Sequence, residues 1–174
     1  MKKLITTLAN IRWTGYKPLL AMDLKTHACN FNCEKPIRIV KVGYRTWKTG
    51  ITYQISLWQT GVKMPLATCK VTPEDTGVIQ FFALTEPVYA WPGISYYISR
   101  TYVSGGPNHS ITDYIGWLST KGGAAVYPIR AEEITLSNGF FSDDENPIES
   151  DNVSNITTNT LLPLIDFEYT LQFQ

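Results

Sequence analysis

From Ile51 to Leu57 apolar and polar residues alternate strictly, with Ile51, Tyr53, Ile55 and Leu57 set against Thr52, Gln54 and Ser56. A period of two is that of a β-strand with one face buried and one face wet. The runs that follow, PLATCKVT, VIQFFALTEPVYAWPG and ISYYISRTYV, are rich in β-branched and aromatic residues. Gly61, Pro65, the Pro73–Gly77 segment and Pro92-Gly93 punctuate them, so the spacing predicts short antiparallel strands joined by tight turns. Upstream, IRIVKVGYRTW changes apolar phase from Ile37 and Ile39 to Val40, Val42 and Tyr44, which predicts a β-bulge near Ile39–Val40. Thr49-Gly50 then turns the chain into the Ile51–Trp58 strand. The cleanest strand is the last. Ile165, Phe167, Tyr169, Leu171 and Phe173 alternate with Asp166, Glu168, Thr170 and Gln172, and a strand at the end of a chain must pair with something distant in sequence.

Elsewhere the pattern is looser. A strand is expected at Leu4–Ile11, followed by Gly15, Pro18 and a His27–Cys33 loop. Shorter strands are expected at Asp113–Leu118, Ala124–Ile129 and Ile134–Leu136, between the turn-rich stretches GGPNHS and KGG. Residues 142–160 are polar and acidic and read as a long surface loop. No internal repeat and no amphipathic helix is evident. The fold expected is all-β, an antiparallel β-sandwich of jelly-roll or immunoglobulin-like type. It forms one domain over residues 1–174, with 1–36 a less regular N-terminal arm.

Length and composition narrow the function classes. A chain of 174 residues supports one sizeable core. Fifteen basic and fifteen acidic side chains give zero formal net charge, so the basic excess of a nucleic-acid binder is missing and no nucleic-acid partner is expected. Charged residues are only 17% of the chain and aromatics 13%, which suits a surface partly covered by partners or ligand. No run reaches the roughly eighteen apolar residues that span a bilayer, so no membrane span is expected. Lys2 and Lys3 precede an apolar stretch, but Thr6, Thr7 and Asn10 interrupt it and Arg12 closes it. No signal peptide is read there, which favours a virion or a cytoplasmically assembled particle over secretion. Three cysteines, an odd number, imply no disulfide framework.

The segments SLWQTG, PLATCKVT and EPVYAWPGISYYIS, with IRIVKVGYRTW before and LIDFEYTLQF at the end, resemble a bacterial β-sandwich domain of unknown function. That domain is found alone or appended to cell-surface and glycan-active proteins. The matching residues are Leu57, Trp58, Gly61, Leu66, Ala67, Thr68, Pro87, Val88, Gly93 and Tyr96, and the resemblance covers residues 36–103 and the last strand. Segment 104–160 departs from the family's closing pattern. The resemblance implies the sandwich architecture and a non-catalytic binding or accessory role.

Candidate chemistry is sparse. His27, Cys29 and Cys33 are the best metal candidates, with Cys69 as a conceivable fourth ligand, because zinc takes four N/S ligands and favours close cysteine pairs. The second pair is missing, so ordinary buried or loop cysteines are the expectation, and no metal or cofactor is expected. Asp143, Asp144, Glu145, Glu149 and Asp151 could offer oxygens to Ca²⁺, but they lack the spacing of a calcium loop and read as a solvated segment. His27 and His109 are the only histidines; no nucleophile elbow or Gly-rich phosphate loop accompanies them, so the chain is not expected to be an enzyme. The remaining signal is aromatic. Trp47, Trp58, Trp91 and Trp117 fall at strand ends or turns, with Tyr97 and Tyr102 nearby. Trp91, Trp58, Trp117 and Tyr97 are the candidate binding residues, since Trp and Tyr stack on sugar rings or anchor protein interfaces. Packing inside the sandwich is the alternative for each, and Trp58 is out of phase with Leu57, on the outer face or beyond the strand. The leading expectation is a structural protein that decorates or cements a larger assembly. Its partners would be other proteins or further copies of itself, reached through the arm Lys2–Asn10. The alternative is a carbohydrate-binding or adhesion module of a bacterial cell surface, with a glycan as partner.

Overall fold

A computed structural model describes residues 1–4, 16–22, 25–46, 48–104, 112–119, 127–142, 156–157, 160–161 and 165–172, with 16–22, 112–119 and 160–161 described by backbone. The strands are β1 (Lys2–Lys3), β2 (Tyr16–Met22), β3 (Thr26–Cys33), β4 (Ile37–Tyr44), β5 (Thr52–Gln59), β6 (Ala67–Val71) and β7 (Gln80–Ala90). They continue as β8 (Ser95–Ser104), β9 (Thr112–Ser119), β10 (Ile129–Ala131), β11 (Ile134–Ser142), β12 (Ile156–Thr157), β13 (Thr160–Leu161) and β14 (Ile165–Leu171). A sheet ordered β1-β14-β4-β7 packs against one ordered β10-β11-β3-β8-β5-β6, and a smaller sheet runs β13-β9-β2. Every ladder is antiparallel. The fold is therefore an antiparallel β-sandwich.

Alternation dictates which side chains enter the space between the two main sheets. Ile55 and Leu57 of β5, Ile98 of β8, and Ile165, Phe167 and Tyr169 of β14 are all buried there, while Leu171 packs partly buried at the core's margin. The bulge expected near Ile39–Val40 is present: register against both β14 and β7 shifts between Ile39 and Lys41. One extra residue on β4 lets Ile39 and Val42 both point inward, each fully buried. Pro87 lies in the irregular part of β7, at a sheet edge where its missing N–H costs no ladder bond. Gly43 has a steric reason to be glycine, since a Cβ there would come within 2.8 Å of the Ile79 and Phe81 side chains.

Four expectations need correction. The His27–Cys33 segment is no loop but β3, an interior strand hydrogen-bonded to β8 on one side and β11 on the other. Its asparagines, Asn30 and Asn32, look like turn residues but occupy the outward positions of a regular strand. Strand β11 runs on to Ser142 past Leu136, because a register shift between Leu136 and Asn138 absorbs one residue. Residues 156–157 and 160–161, assigned to the polar loop, are short strands; residues 143–155 lie outside the described residues. At 124–129, Ile129 opens strand β10, and 124–126 lie outside the described residues.

The N-terminus is also tied down. Lys2 and Lys3 pair with Tyr169 and Glu168 of β14, and Leu4 belongs to the core. The open edge of β14 offers unpaired N–H and C=O groups, which is the physical reason a short strand settles there. Lys2 Nζ donates to Glu133 at 2.8 Å and also meets Glu132, both in the turn between β10 and β11. Burial by itself would raise the Glu133 carboxyl, but the Lys2 ammonium outweighs it and holds the group below its usual range. Lys3 reaches Glu168 at 3.5 Å and lies 4.4 Å above the Phe81 ring. Residues 2–4 thus complete their own sandwich instead of extending from it, and residues 5–10 of the expected arm lie outside the described residues.

Candidate functional site

Trp58 and Tyr97 are cross-strand neighbours on the outer face of β5 and β8. Trp58 is on that face, as its phase requires, yet only 6% of it is exposed, and Tyr97 is fully buried. Their rings stack with planes 3° apart and centroids 5.6 Å apart, and Trp58 Nε1 donates to Ser99 Oγ at 2.9 Å. Phe140 of β11 completes the cluster, 5.9 Å from the Tyr97 ring. These two candidates therefore present no ring face to a ligand; they pack a second, aromatic layer outside the main core. Trp117 sits on β9 opposite Pro18 and Leu161. Trp47, His109 and the acidic residues Asp143, Asp144, Glu145, Glu149 and Asp151 lie outside the described residues.

Trp91 differs from them, with 48% of its surface exposed. It opens the link between β7 and β8, its backbone N–H donating to Tyr96 Oη at 3.0 Å, and Gly93 closes the turn at φ +79°. The link between β5 and β6 lies at the same end of the sandwich. Thr60 N donates to Ser95 O at 2.9 Å, and Gly61, at φ +83°, reverses the chain. The second loop exposes Val62, Met64 and Leu66, with Met64 72% exposed. Two loops thus bring four large apolar side chains to one tip of the molecule, where burial in water-free surroundings is unfulfilled. Sequence reading identified Trp91 but missed the loop. Its signal was available in Val62-Lys63-Met64-Pro65-Leu66, an apolar-rich turn where turns are ordinarily polar.

The metal candidates are arranged differently from a metal site. His27, Cys29 and Cys33 occupy inward positions of β3, so Cys29 and Cys33 are about 13 Å apart at roughly 3.3 Å per residue. That separation exceeds what one tetrahedron can bridge. His27 Nδ1 is 2.8 Å from Arg100 Nη2. A guanidinium only donates, so Nδ1 accepts, the proton sits on Nε2 and the imidazole is neutral. Among the described residues, no group of three or more His, Cys, Asp or Glu could hold a metal ion.

The cysteines behave as small hydrophobes. Burial pushes the Cys29 thiol up to about 12 and Cys33 to about 11, while Cys69, only partly buried on β6, is also raised by burial. The Cys69 Sγ lies 3.8 Å from Ala83 O, where β6 approaches β7. Native protein treated with a disulfide-based thiol reagent at pH 8 should therefore react first at Cys69. Cys29 and Cys33 should stay protected until denaturant opens the fold. Rapid native modification of Cys29 or Cys33, read by peptide mass mapping, would contradict this placement.

Among the described residues, no helix is long and apolar enough to cross a membrane. The residues on which the expected resemblance to a bacterial β-sandwich domain rests include framework positions. Leu57, Val88 and Tyr96 are core positions, and Gly61 and Gly93 are turn positions with positive φ. Of the four tip residues, Leu66 is in that set, while Val62, Met64 and Trp91 are not. No protein-family model matches the sequence, and comparison with curated proteins finds no match to it.

Proposed function

We propose that this protein is a non-catalytic structural component that decorates or cements a larger assembly, docking through the tip formed by Trp91, Val62, Met64 and Leu66. The observation that carries the reading is the exposure of these four apolar side chains on two adjoining loops at one end of the sandwich. Trp supplies the large rigid anchor typical of an interface centre, and Met adapts its shape to a partner. A stable contact needs about 1,000 Å² or more of total buried area, so neighbouring surface must join the four residues in it.

The test is site-specific photo-crosslinking from position 64 in the native host, paired with a Trp91→Ala, Met64→Ser variant. Crosslinks should concentrate on one structural protein, or on a second copy of this chain. The variant should keep its melting temperature but lose incorporation into the particle. Crosslinks scattered over unrelated proteins, or unchanged incorporation of the variant, would overturn the proposal. A second reading, a carbohydrate-binding or adhesion module of a bacterial cell surface, is favoured by Tyr89 and Trp91. They are spaced i, i+2 at the end of β7, and each is about half exposed, a spacing suited to stacking on sugar rings. Glycan-array binding that disappears in Trp91→Ala, with no crosslinked partner, would put this reading in place of the first.

A further inference from the structure

Strand β14 is covered unequally on its two sides. On one side β4 pairs with it from Ile165 to Leu171; on the other, β1 offers only Lys2 and Lys3, opposite Tyr169 and Glu168. What β1 lacks in length it matches in chemistry. The Lys2 ammonium meets the carboxylates of both Glu132 and Glu133, and Glu133 Oε2 also accepts from the Tyr169 hydroxyl at 3.3 Å. Glu132 takes φ 52°, a left-handed backbone that is costly for a residue with a side chain, and its carboxylate is one of the two on Lys2. Lys3 meets Glu168, which Lys41 also reaches at 3.0 Å, and Leu4 fills a buried core position. The β14 edge is thus shaped for one segment, Lys2-Lys3-Leu4.

We propose that β1 exchanges between copies, so that Lys2-Lys3-Leu4 of one chain occupies the β14 edge of a second copy when chains are crowded together. Complementarity sets the occupant. Two ammonium groups placed to meet Glu133 and Glu168, followed by a leucine for the core, are what this edge binds in its own chain. A second copy carries the same three residues, and exchange reproduces every contact of the closed form, so its cost is small. The hold to be broken is small too, since a two-residue ladder and ion pairs with partly exposed lysines add little to the burial of Leu4. An emptied edge leaves ladder groups and the Leu4 position unfilled, which drives it to take up the segment from whichever copy is nearest. Pairing within one chain competes at an effective concentration on the order of 1 mM, so exchange belongs to the crowded chains of an assembly and not to dilute protein. It is independent of docking at the tip.

The experiment is a disulfide trap on the full chain. Lys3 and Glu168 stand directly opposite each other in the antiparallel ladder, where Cα atoms are about 4.5–5.5 Å apart, within reach of a disulfide. In a Cys69→Ser background, Lys3→Cys and Glu168→Cys together should close a bond within one chain. Mixed as separate single variants at about 1 mM, they should form a 3–168 bond between two chains, read by mass mapping. Its yield should be at least about tenfold that of Lys3→Cys mixed with Lys70→Cys, because only thiols matched in register are held together. The parent at the same concentration should give an oligomer separable by size, and the double variant, oxidised beforehand, should not. No 3–168 bond between chains above the control, or no parent oligomer, would overturn the exchange. An equal oligomer from the locked double variant would overturn it as well and assign association to the tip. Failure of the double variant to close would overturn the placement of Lys3 opposite Glu168, and the proposal with it.

Discussion

Replacing Phe167 with Ala should lower the free energy of unfolding by about 3–5 kcal/mol, the range for deleting a fully buried aromatic ring. Phe167 has no exposed surface and stands on β14, the strand that joins β4 to β1. Its ring lies 5.3 Å from Phe31 of β3 in the opposite sheet and 5.8 Å from Tyr169 on its own strand. It therefore bridges the two sheets at the centre of the sandwich, and its removal leaves a cavity that two rigid ladders cannot collapse to fill. Phe167→Leu, which keeps most of the volume, should recover more than half of the loss. Urea denaturation of the two variants checks both values. An alanine variant with the parent's midpoint would mean that β14 faces the other way.

Much of this core was legible in the sequence, because the residues that build it alternate without interruption. Ile51 to Leu57 and Ile165 to Leu171 announce their faces, and the phase change at Ile39–Val40 marks the bulge in the sequence itself. Strand β3 was hidden by its composition. Thr-His-Ala-Cys-Asn-Phe-Asn-Cys does alternate, with His27, Cys29, Phe31 and Cys33 inward, but only if cysteine is counted as a hydrophobe and asparagine is allowed on a strand. Chemistry-bearing residue types pulled the reading toward a loop and made the segment the best metal candidate, although no metal was expected. Trp58 and Tyr97 show a second limit. Periodicity places both on the outer face, but whether that face is covered depends on contacts far away in sequence, such as Phe140 on Tyr97. The meeting of two loops at the tip was illegible for a similar reason. Val62 and Trp91 come together only through sheet order, because β5 and β8 are neighbours by long-range pairing.

Arg100 is the residue that pattern reading misses most completely, and replacing it should cost nearly as much as replacing Phe167. It takes an inward position on β8, between Ile55 of β5 and His27 of β3, and has no exposed surface. A cation there must recover the hydration it has lost. Its guanidinium carbon lies 4.3 Å from the Tyr102 ring centroid and 5.8 Å from those of Tyr44 and Tyr53, so aromatic faces surround the charge. Its Nη2 donates to His27 Nδ1 at 2.8 Å, and Nη1 points to Lys25 O at 3.5 Å. The cage is itself braced. Thr46 Oγ1 donates to Lys48 O at 2.7 Å, so the Tyr53 hydroxyl, also at 2.7 Å from Thr46 Oγ1, must be the donor of that second bond. Arg100→Ala removes the volume and strands the His27 acceptor together, and should destabilise by about 3–5 kcal/mol. Arg100→Met restores the volume without the donors and should cost only about 1–3 kcal/mol, the penalty of a buried acceptor left unmade. Arg100→Lys keeps the charge but not the planar fork that stacks on the tyrosines, and should fall between the two. Urea midpoints give the order, and nitrogen NMR of the His27 ring should find its proton on Nε2 in the parent. If Met proves as damaging as Ala, the caged charge itself, and not the volume it fills, holds β3, β5 and β8 together at this end of the sandwich.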